Sequence, residues 1–253
     1  HGFHVVSDKP VTLTLEEAED LQNIVAKSGK LFALTHNYTG NSMVKQAKAM
    51  VAKGELGNVR KIQAQYLQGW LSTSLEKTEQ KQAAWRVDPK RSGIGGALGD
   101  IGTHAENLIE YITGLKIEEI AADLGRFGEG RILDDDGNML IRMENGAKGT
   151  ISISQIALGE ENNLGIKVYG TKGSLEWYQE NPNELITRWL EEPKKIYTPN
   201  GNGLHDEALD VCRIPAGHPE GYLEAFATIY KNFATHVNAI NEGKSVKNPD
   251  YPT

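Results

Sequence analysis

Asp100 and His104 stand one helical turn apart in the stretch Gly93–Gly114, whose first ten residues hold five glycines. At about 100° per residue a helix here puts Asp100, His104, Asn107 and Tyr111 on one stripe. Ile101, Ala105, Leu108, Ile109 and Ile112 then form a core face, and Thr103, Glu106, Glu110 and Thr113 a water face. A neutral imidazole near pH 7 is the usual general base, and a carboxylate one turn away can orient it or hold a substrate hydroxyl. The competing reading is structural: a first-turn acid favoured by the helix dipole, and a buried, hydrogen-bonded histidine. Both residue types also ligate metals. His36, His205, His218 and His236 are scattered without a second paired motif, however, so no metal site is expected.

Three further places could carry chemistry. Lys9 precedes Pro10 at the end of a strand candidate, where ligands gather in open α/β sheets. Trp85-Arg86 can pack and pair across a cleft or simply anchor a loop. His218 lies in Gly217-His218-Pro219-Glu220-Gly221-Tyr222 at a helix entrance, where it can cap or touch substrate. The glycines before Asp100 are not a dinucleotide fingerprint, because Leu98 stands where the third glycine of G-x-G-x-x-G would be, and that motif occurs nowhere in the 253 residues. They suit close backbone approach or positive φ at a helix entrance.

The elements that must hold these residues are legible in outline. A strand near residues 4–7, a helix with capping-box spacing at Thr14 and Glu17 and Gly29 at its end, and an apolar run Leu31–Leu34 form a βαβ-like unit. Such a unit cannot bury both faces of a sheet and reads as the tail of a larger domain. Ser42–Lys53 reads as a helix, Val59–Trp70 as a long strand, and the polar stretch 72–82 as an excursion or lid. After Gly114 the pattern is β: Ile117–Phe127, Asn138–Glu144, Lys148–Ala157, Leu164–Tyr169, Ser174–Tyr178 and Leu185–Leu190. Asn145-Gly146 is the strongest hairpin signal and Thr171-Lys172-Gly173 a second tight turn. A long helix is expected from Pro219 at its first position to about Glu242. The fold class is therefore α/β (α+β), with a large, mostly antiparallel open sheet packed on helices.

Composition excludes more than it assigns. A net charge of −7 with no basic run argues against nucleic acid or an anionic membrane as partner. No apolar run reaches the ~18 residues of a membrane span, and the first residues do not read as a signal peptide. The single Cys212 cannot form a disulfide within the chain and fits a reducing, cytoplasmic setting.

Together these residues resemble the glucose–fructose oxidoreductase/inositol dehydrogenase (Gfo/Idh/MocA) family. The matching motifs are Lys9-Pro10, Gly54-Glu55-Leu56-Gly57-Asn58-Val59, Trp85-Arg86, Gly95-Gly96 through Asp100-x-Gly102-x-His104, and Val168-Tyr169-Gly170-Thr171-Lys172-Gly173-Ser174-Leu175. Asp8 stands where the family usually has Glu, and Asn107 where many members have Asp. The resemblance implies residues 1–57 as the remnant of an N-terminal Rossmann domain and 58–253 as the substrate and oligomerisation domain. It implies NAD or NADP as cofactor, a small sugar or polyol as substrate, and a homo-oligomer formed through the open sheet. Lys9, Asp100 and His104 would be catalytic. Lys9, Pro10, Trp85 and Arg86 would border the cofactor, and Asp100, Asn107 and His218 the substrate. By the same resemblance the chain begins in a late Rossmann strand, so the pyrophosphate loop is missing and these residues alone should bind NAD(P) poorly and be inactive. A non-catalytic carbohydrate-binding or dimerisation module stays open as the alternative.

Overall fold

The computed structural model describes residues 2–246 and 249–253. Strands β1 (Val5–Ser7) and β2 (Phe32–Leu34) pair in parallel and are joined by helix α1 (Leu15–Ser28). The capping box expected at α1 is half formed. Thr14 Oγ1 accepts from the Glu17 amide at 3.2 Å, but the Glu17 carboxylate reaches the amide of Leu13, one residue before Thr14, at 3.0 Å. A 3₁₀ turn, Asn37–Gly40, leads from β2 into α2 (Ser42–Ala52).

Next come β3 (Lys61–Leu67), the short helices α3 (Lys81–Arg86) and α4 (Pro89–Ser92), and the central helix α5 (Thr103–Thr113). Seven strands follow: β4 (Ile117–Gly125), β5 (Asp136–Met143), β6 (Lys148–Ser154), β7 (Asn163–Tyr169), β8 (Gly173–Tyr178), β9 (Leu185–Trp189) and β10 (Lys195–Tyr197). With β3 they form one sheet of order β10-β9-β8-β7-β3-β6-β5-β4, in which only the β3–β6 pair is parallel. Asn145-Gly146 turns the β5–β6 hairpin as expected, with Gly146 at φ 83°.

Helix α6 (Asp206–Leu209) and the long α7 (Tyr222–Asn241) complete the fold. The sequence places the start of α7 at Pro219, three residues too early. The Glu220 carboxylate is turned back to accept from the amides of Arg213 at 2.7 Å and Ile214 at 3.1 Å. The cap is Gly221, whose amide donates to Glu224 at 2.8 Å.

One apolar layer lies between the sheet and the helices. Met43, Val44, Ala47 and Met50 of α2 and Ala105, Leu108, Ile109 and Ile112 of α5 are buried against Ile62, Ile141, Ile151, Ile166 and Val168 of the sheet. The period-2 alternation of β5, with Met139, Ile141 and Met143 buried and Leu140 66% exposed, shows that no helix among the described residues covers the opposite face. A second, smaller core joins Ala33 of β2 to Ile229 and Phe233 of α7 and to Tyr251.

The last residues run back along β2, where the Pro252 carbonyl accepts from the Leu34 amide at 2.9 Å. They also explain a lysine that has no place in an apolar layer. Lys45 of α2 is 1% exposed, and its ammonium donates to Asp250 at 2.5 Å and to the Tyr111 hydroxyl at 2.7 Å. Tyr111 in turn donates to Asp250 at 2.6 Å, and Lys48 completes the cluster at 3.1 Å. Breaking a buried ion pair from one side leaves an uncompensated charge, at a cost of 3–5 kcal/mol when both partners are buried. Because Asp250 is 42% exposed, solvent screening lowers the expected cost of Asp250→Ala to about 2 kcal/mol. Denaturant melts should show this loss, and adding Lys45→Met should restore most of it.

Candidate active site

The carboxyl ends of β1 and β2, the end of β3, the start of α5 and the first turns of α7 enclose an open cleft of about 680 Å³. Asp100 is its electrostatic centre. One carboxylate oxygen accepts from Lys9 Nζ at 2.6 Å; the other accepts from Arg86 Nε at 2.9 Å and from Gln155 Nε2 at 2.8 Å. Lys9 Nζ also donates to the Asp100 main-chain carbonyl. Burial on its own would raise the Asp100 carboxyl, but the Lys9 and Arg86 charges outweigh it and hold the group below the usual range. The Arg86 guanidinium lies over Trp85 at 4.3 Å and near Trp70 at 5.8 Å.

His104, one turn along, is 7% exposed. Its Nδ1 is 3.3 Å from Nδ1 of His36, and its ring meets Tyr38 edge-on at 4.9 Å. Burial pushes its pKa well below 6.5, and the charge of Lys9 and the His36 ring push the same way. His36 is lowered to about 4 by burial and Lys9, against a smaller opposing effect of Asp8. Both imidazoles are neutral near pH 7, so His104 can accept a proton.

The glycines set the pose of this helix. Gly93 is at φ 84°, and a Cβ on Gly96 would lie 2.0 Å from the Asp134 carbonyl oxygen. Asp134 takes the helix entrance in its carboxylate, accepting from the amides of Gly96 and Leu98 at 2.7 Å each, while its carbonyl accepts from Ala97 at 2.8 Å. Leu98–Gly102 is a π turn in which the Thr103 amide bonds to the Leu98 carbonyl five residues back. The polar stretch 72–82 is anchored at its first half. Arg131, 3% exposed, grips Glu76 at 3.0 and 3.1 Å, Asp135 at 3.1 Å and the Leu71 carbonyl at 2.7 Å.

Of the residues singled out in the sequence, Lys9, Arg86, Asp100 and His104 meet in the cleft, and Pro10 and Trp85 border a shallow recess beside it with Gly95, Gly96 and Gly99. Asn107 and His218 are not among the lining residues. Asn107 turns its Oδ1 into a buried position without a partner, and His218 is exposed, with Nδ1 3.1 Å from the Pro215 carbonyl. Tyr111, the fourth member of the helical stripe, serves the Lys45–Asp250 cluster.

Tyr38, Tyr66, Gln68, Asn162, Tyr222 and Phe226 also line the cleft. The position of Thr35-His36-Asn37-Tyr38 just after a parallel strand was a usable signal for Tyr38, by the rule that picks out Lys9. Asn162 and Asp134 sit in loops, and nothing local marks them.

The sequence profile of the GFO/IDH/MocA C-terminal domain matches residues 44–176. Over 242 residues the chain is 34% identical to an uncharacterized oxidoreductase of Bacillus subtilis, YfiI, covering 95% of this chain and 62% of that protein. It is 27% identical to levoglucosan dehydrogenase of Pseudarthrobacter phenanthrenivorans, over 80% of this chain and 59% of that enzyme. Among solved structures, an inositol dehydrogenase homolog from Azotobacter vinelandii in complex with NAD+ superposes with a TM-score of 0.92 at 36% identity, covering 96% of this chain and 62% of that one. The chain thus spans about three fifths of the length of these relatives.

Protonating His36 or His104 is harder in the fold than in the unfolded chain, so between pH 6.5 and about 4 the unfolded chain takes up more protons. Stability is complete above pH 6.5 and falls as the pH drops toward 4, by on the order of 3 kcal/mol for the His36 shift alone. Thermal melts across that window should show the fall, and His36→Asn should make it shallower, leaving the part due to His104.

Proposed function

The chain belongs to the Gfo/Idh/MocA family, and from that premise we propose that it forms the substrate-side portion of an NAD(P)-dependent oxidoreductase acting on a sugar or polyol hydroxyl. The observation that carries this reading is a buried neutral His104 one turn from an Asp100 that is already paired with Lys9 and Arg86, on the wall of a cleft. Relatives of this fold include an inositol dehydrogenase homolog complexed with NADH and myo-inositol and levoglucosan dehydrogenase complexed with NADH and levoglucosan.

The residues present fit the nicotinamide end of the cofactor. The parallel pair β1–β2 opens its carboxyl ends on the cleft beside Lys9, Pro10, Trp85 and Arg86, and the buried Asn37 amide there has a nitrogen without a protein partner. No G-x-G-x-x-G lies within the 253 residues to cradle a pyrophosphate, so these residues alone should bind the dinucleotide weakly and show little activity. The first 57 residues would be the cofactor-domain remnant and the rest the substrate domain. When bound, the nicotinamide supplies the acceptor for the hydride that leaves the carbinol carbon.

The protein's own residues deal with the proton. In the tautomer that puts the proton between the two imidazoles on His104 Nδ1, Nε2 is the basic nitrogen and would take the hydroxyl proton as the carbonyl forms. Lys9, fixed by Asp100, presents positive charge to the same oxygen and stabilises the developing alkoxide. Asp100 holds Lys9 and Arg86 in place. The lone Cys212 fits a cytoplasmic setting, and no helix among the described residues is long and apolar enough to cross a membrane.

In the protein that carries this chain together with a dinucleotide-binding segment, NAD+ or NADP+ should be reduced with at least one member of a panel containing myo-inositol, scyllo-inositol and levoglucosan. His104→Ala should lower kcat by about 10²–10⁴. Wild-type turnover in that variant rejects the assignment, and sugar binding without any nicotinamide binding favours a non-catalytic module. The open face of the sheet, with Leu140 66% exposed, is the surface on which a second copy would pair. Leu140→Arg should then shift the sedimentation of an oligomer to that of the monomer, whereas an unchanged profile would place the contact elsewhere.

A further inference from the structure

Two features of the cleft have no part in the proton transfer: its unused charges and the polar wall facing His104. The charges are lopsided. The cations that line the cleft, Lys9 and Arg86, both pair with Asp100, and the remaining ionisable carboxylates there, Asp8 and Glu161, are exposed. Among the described residues that line the cleft, no further lysine or arginine stands ready for an anionic group. Adding a phosphate or carboxylate on the substrate would bring like charges together.

The wall has a direction that follows from donor chemistry alone. An indole N–H can only donate, so the 3.0 Å contact from Trp70 Nε1 fixes Gln68 Oε1 as its acceptor. Gln68 therefore turns its Nε2 to Asn162 Oδ1, 2.7 Å away. The same Oδ1 can only accept, so the Tyr66 hydroxyl, 2.8 Å from it, must donate. Its proton being used, Tyr66 accepts from Tyr38 across 2.6 Å. What remains is Asn162 Nδ2, with a single long contact of 3.5 Å to the Tyr38 oxygen. The chain Trp70–Gln68–Asn162 thus leaves the wall with an amide donor that lacks a short partner. Beyond it, Tyr38, Tyr222 and Phe226 continue as aromatic rings with centroid steps of 6.3 and 5.1 Å. Such rings receive the C–H face of a saturated ring.

We propose that Asn162 reads a non-reacting hydroxyl of the substrate through its Nδ2 donor, and that the substrate it reads is an uncharged polyhydroxylated ring. Trp70 and Gln68 are positioning residues that hold the Asn162 amide in that orientation. This rests on the oxidoreductase reading above and narrows its substrate class.

The test is a tryptophan-fluorescence titration, with and without NADH, because Trp70 lines the cleft and Trp85 borders it. The probes are myo-inositol, scyllo-inositol and levoglucosan, then the monodeoxy and monodeoxyfluoro analogues and the phosphate monoester of whichever binds most tightly. That phosphate ester should bind about tenfold or more weakly than its parent, with the gap narrowing at high salt and in Glu161→Gln. Asn162→Asp keeps the two bonds that Oδ1 accepts and loses the donor, so affinity for the parent should fall by about tenfold. Gln68→Glu makes residue 68 accept only and turns the Asn162 amide over. At the hydroxyl being read, wild type should tolerate fluorine, which only accepts, and reject hydrogen, whereas Gln68→Glu should reject both. A merely structural Gln68 would not produce that exchange of preference.

A phosphate ester bound as tightly as its parent, or an Asn162→Asp variant within twofold of wild type, overturns this inference and leaves the oxidoreductase reading standing. If none of the uncharged probes is bound or oxidised, both fall.

Discussion

The carboxylate of Asp100 is the constraint on which the cleft depends. It is a charge removed from water, tolerable only because Lys9, Arg86 and Gln155 converge on it. Those three residues come from the end of β1, from α3 and from just beyond β6, so one buried anion fixes three segments that have little else in common. The pairing also sets the electrostatics around it. Burial is the main reason His36 and His104 stay neutral, and the nearby Lys9 charge adds to it, while Lys9 and Arg86 are both held by Asp100.

Around this centre the two cores divide the mechanical work. The large apolar layer holds α2 and α5 against the eight-stranded sheet, whereas the smaller one brings α7 and the chain's last residues onto β2. The cleft opens where the two meet, with His104 from one and Tyr222 from the other. Asp134 gives α5 its fixed entrance by accepting amides that a helix start leaves without partners.

Much of this was legible in the sequence, for identifiable reasons. Alternation in the strands, Asn145-Gly146 and the apolar faces of α2 and α5 are local signals that tertiary contacts reinforce. Glycines before Asp100 point to positive φ or close approach, and Gly93 and Gly96 show one use each. The helical stripe promises more than the fold uses. Equal spacing put Asn107 and Tyr111 beside His104, but the next turns of α5 run away from the cleft, and Tyr111 meets a lysine and an aspartate that are remote in sequence. The true start of α7 is hidden in the sequence because Glu220 bonds Arg213 and Ile214, which lie in a loop with no regular pattern. Loop residues such as Asp134 and Asn162 acquire their roles only when distant segments meet.

The π turn at Leu98–Gly102 has a consequence for how this chain tolerates change in length. A π turn is an α-helix carrying one extra residue, so losing a single residue there would restore regular helical hydrogen bonding and raise no local objection. Yet a residue lost between Asp100 and His104 would turn Asp100 by about 100° relative to His104, away from the position in which Lys9 and Arg86 meet its carboxylate. Substitutions at Leu98 or Ile101 leave that phase intact. The helix entrance can vary in composition far more readily than in register, and a shortened version would fold smoothly into the wrong site.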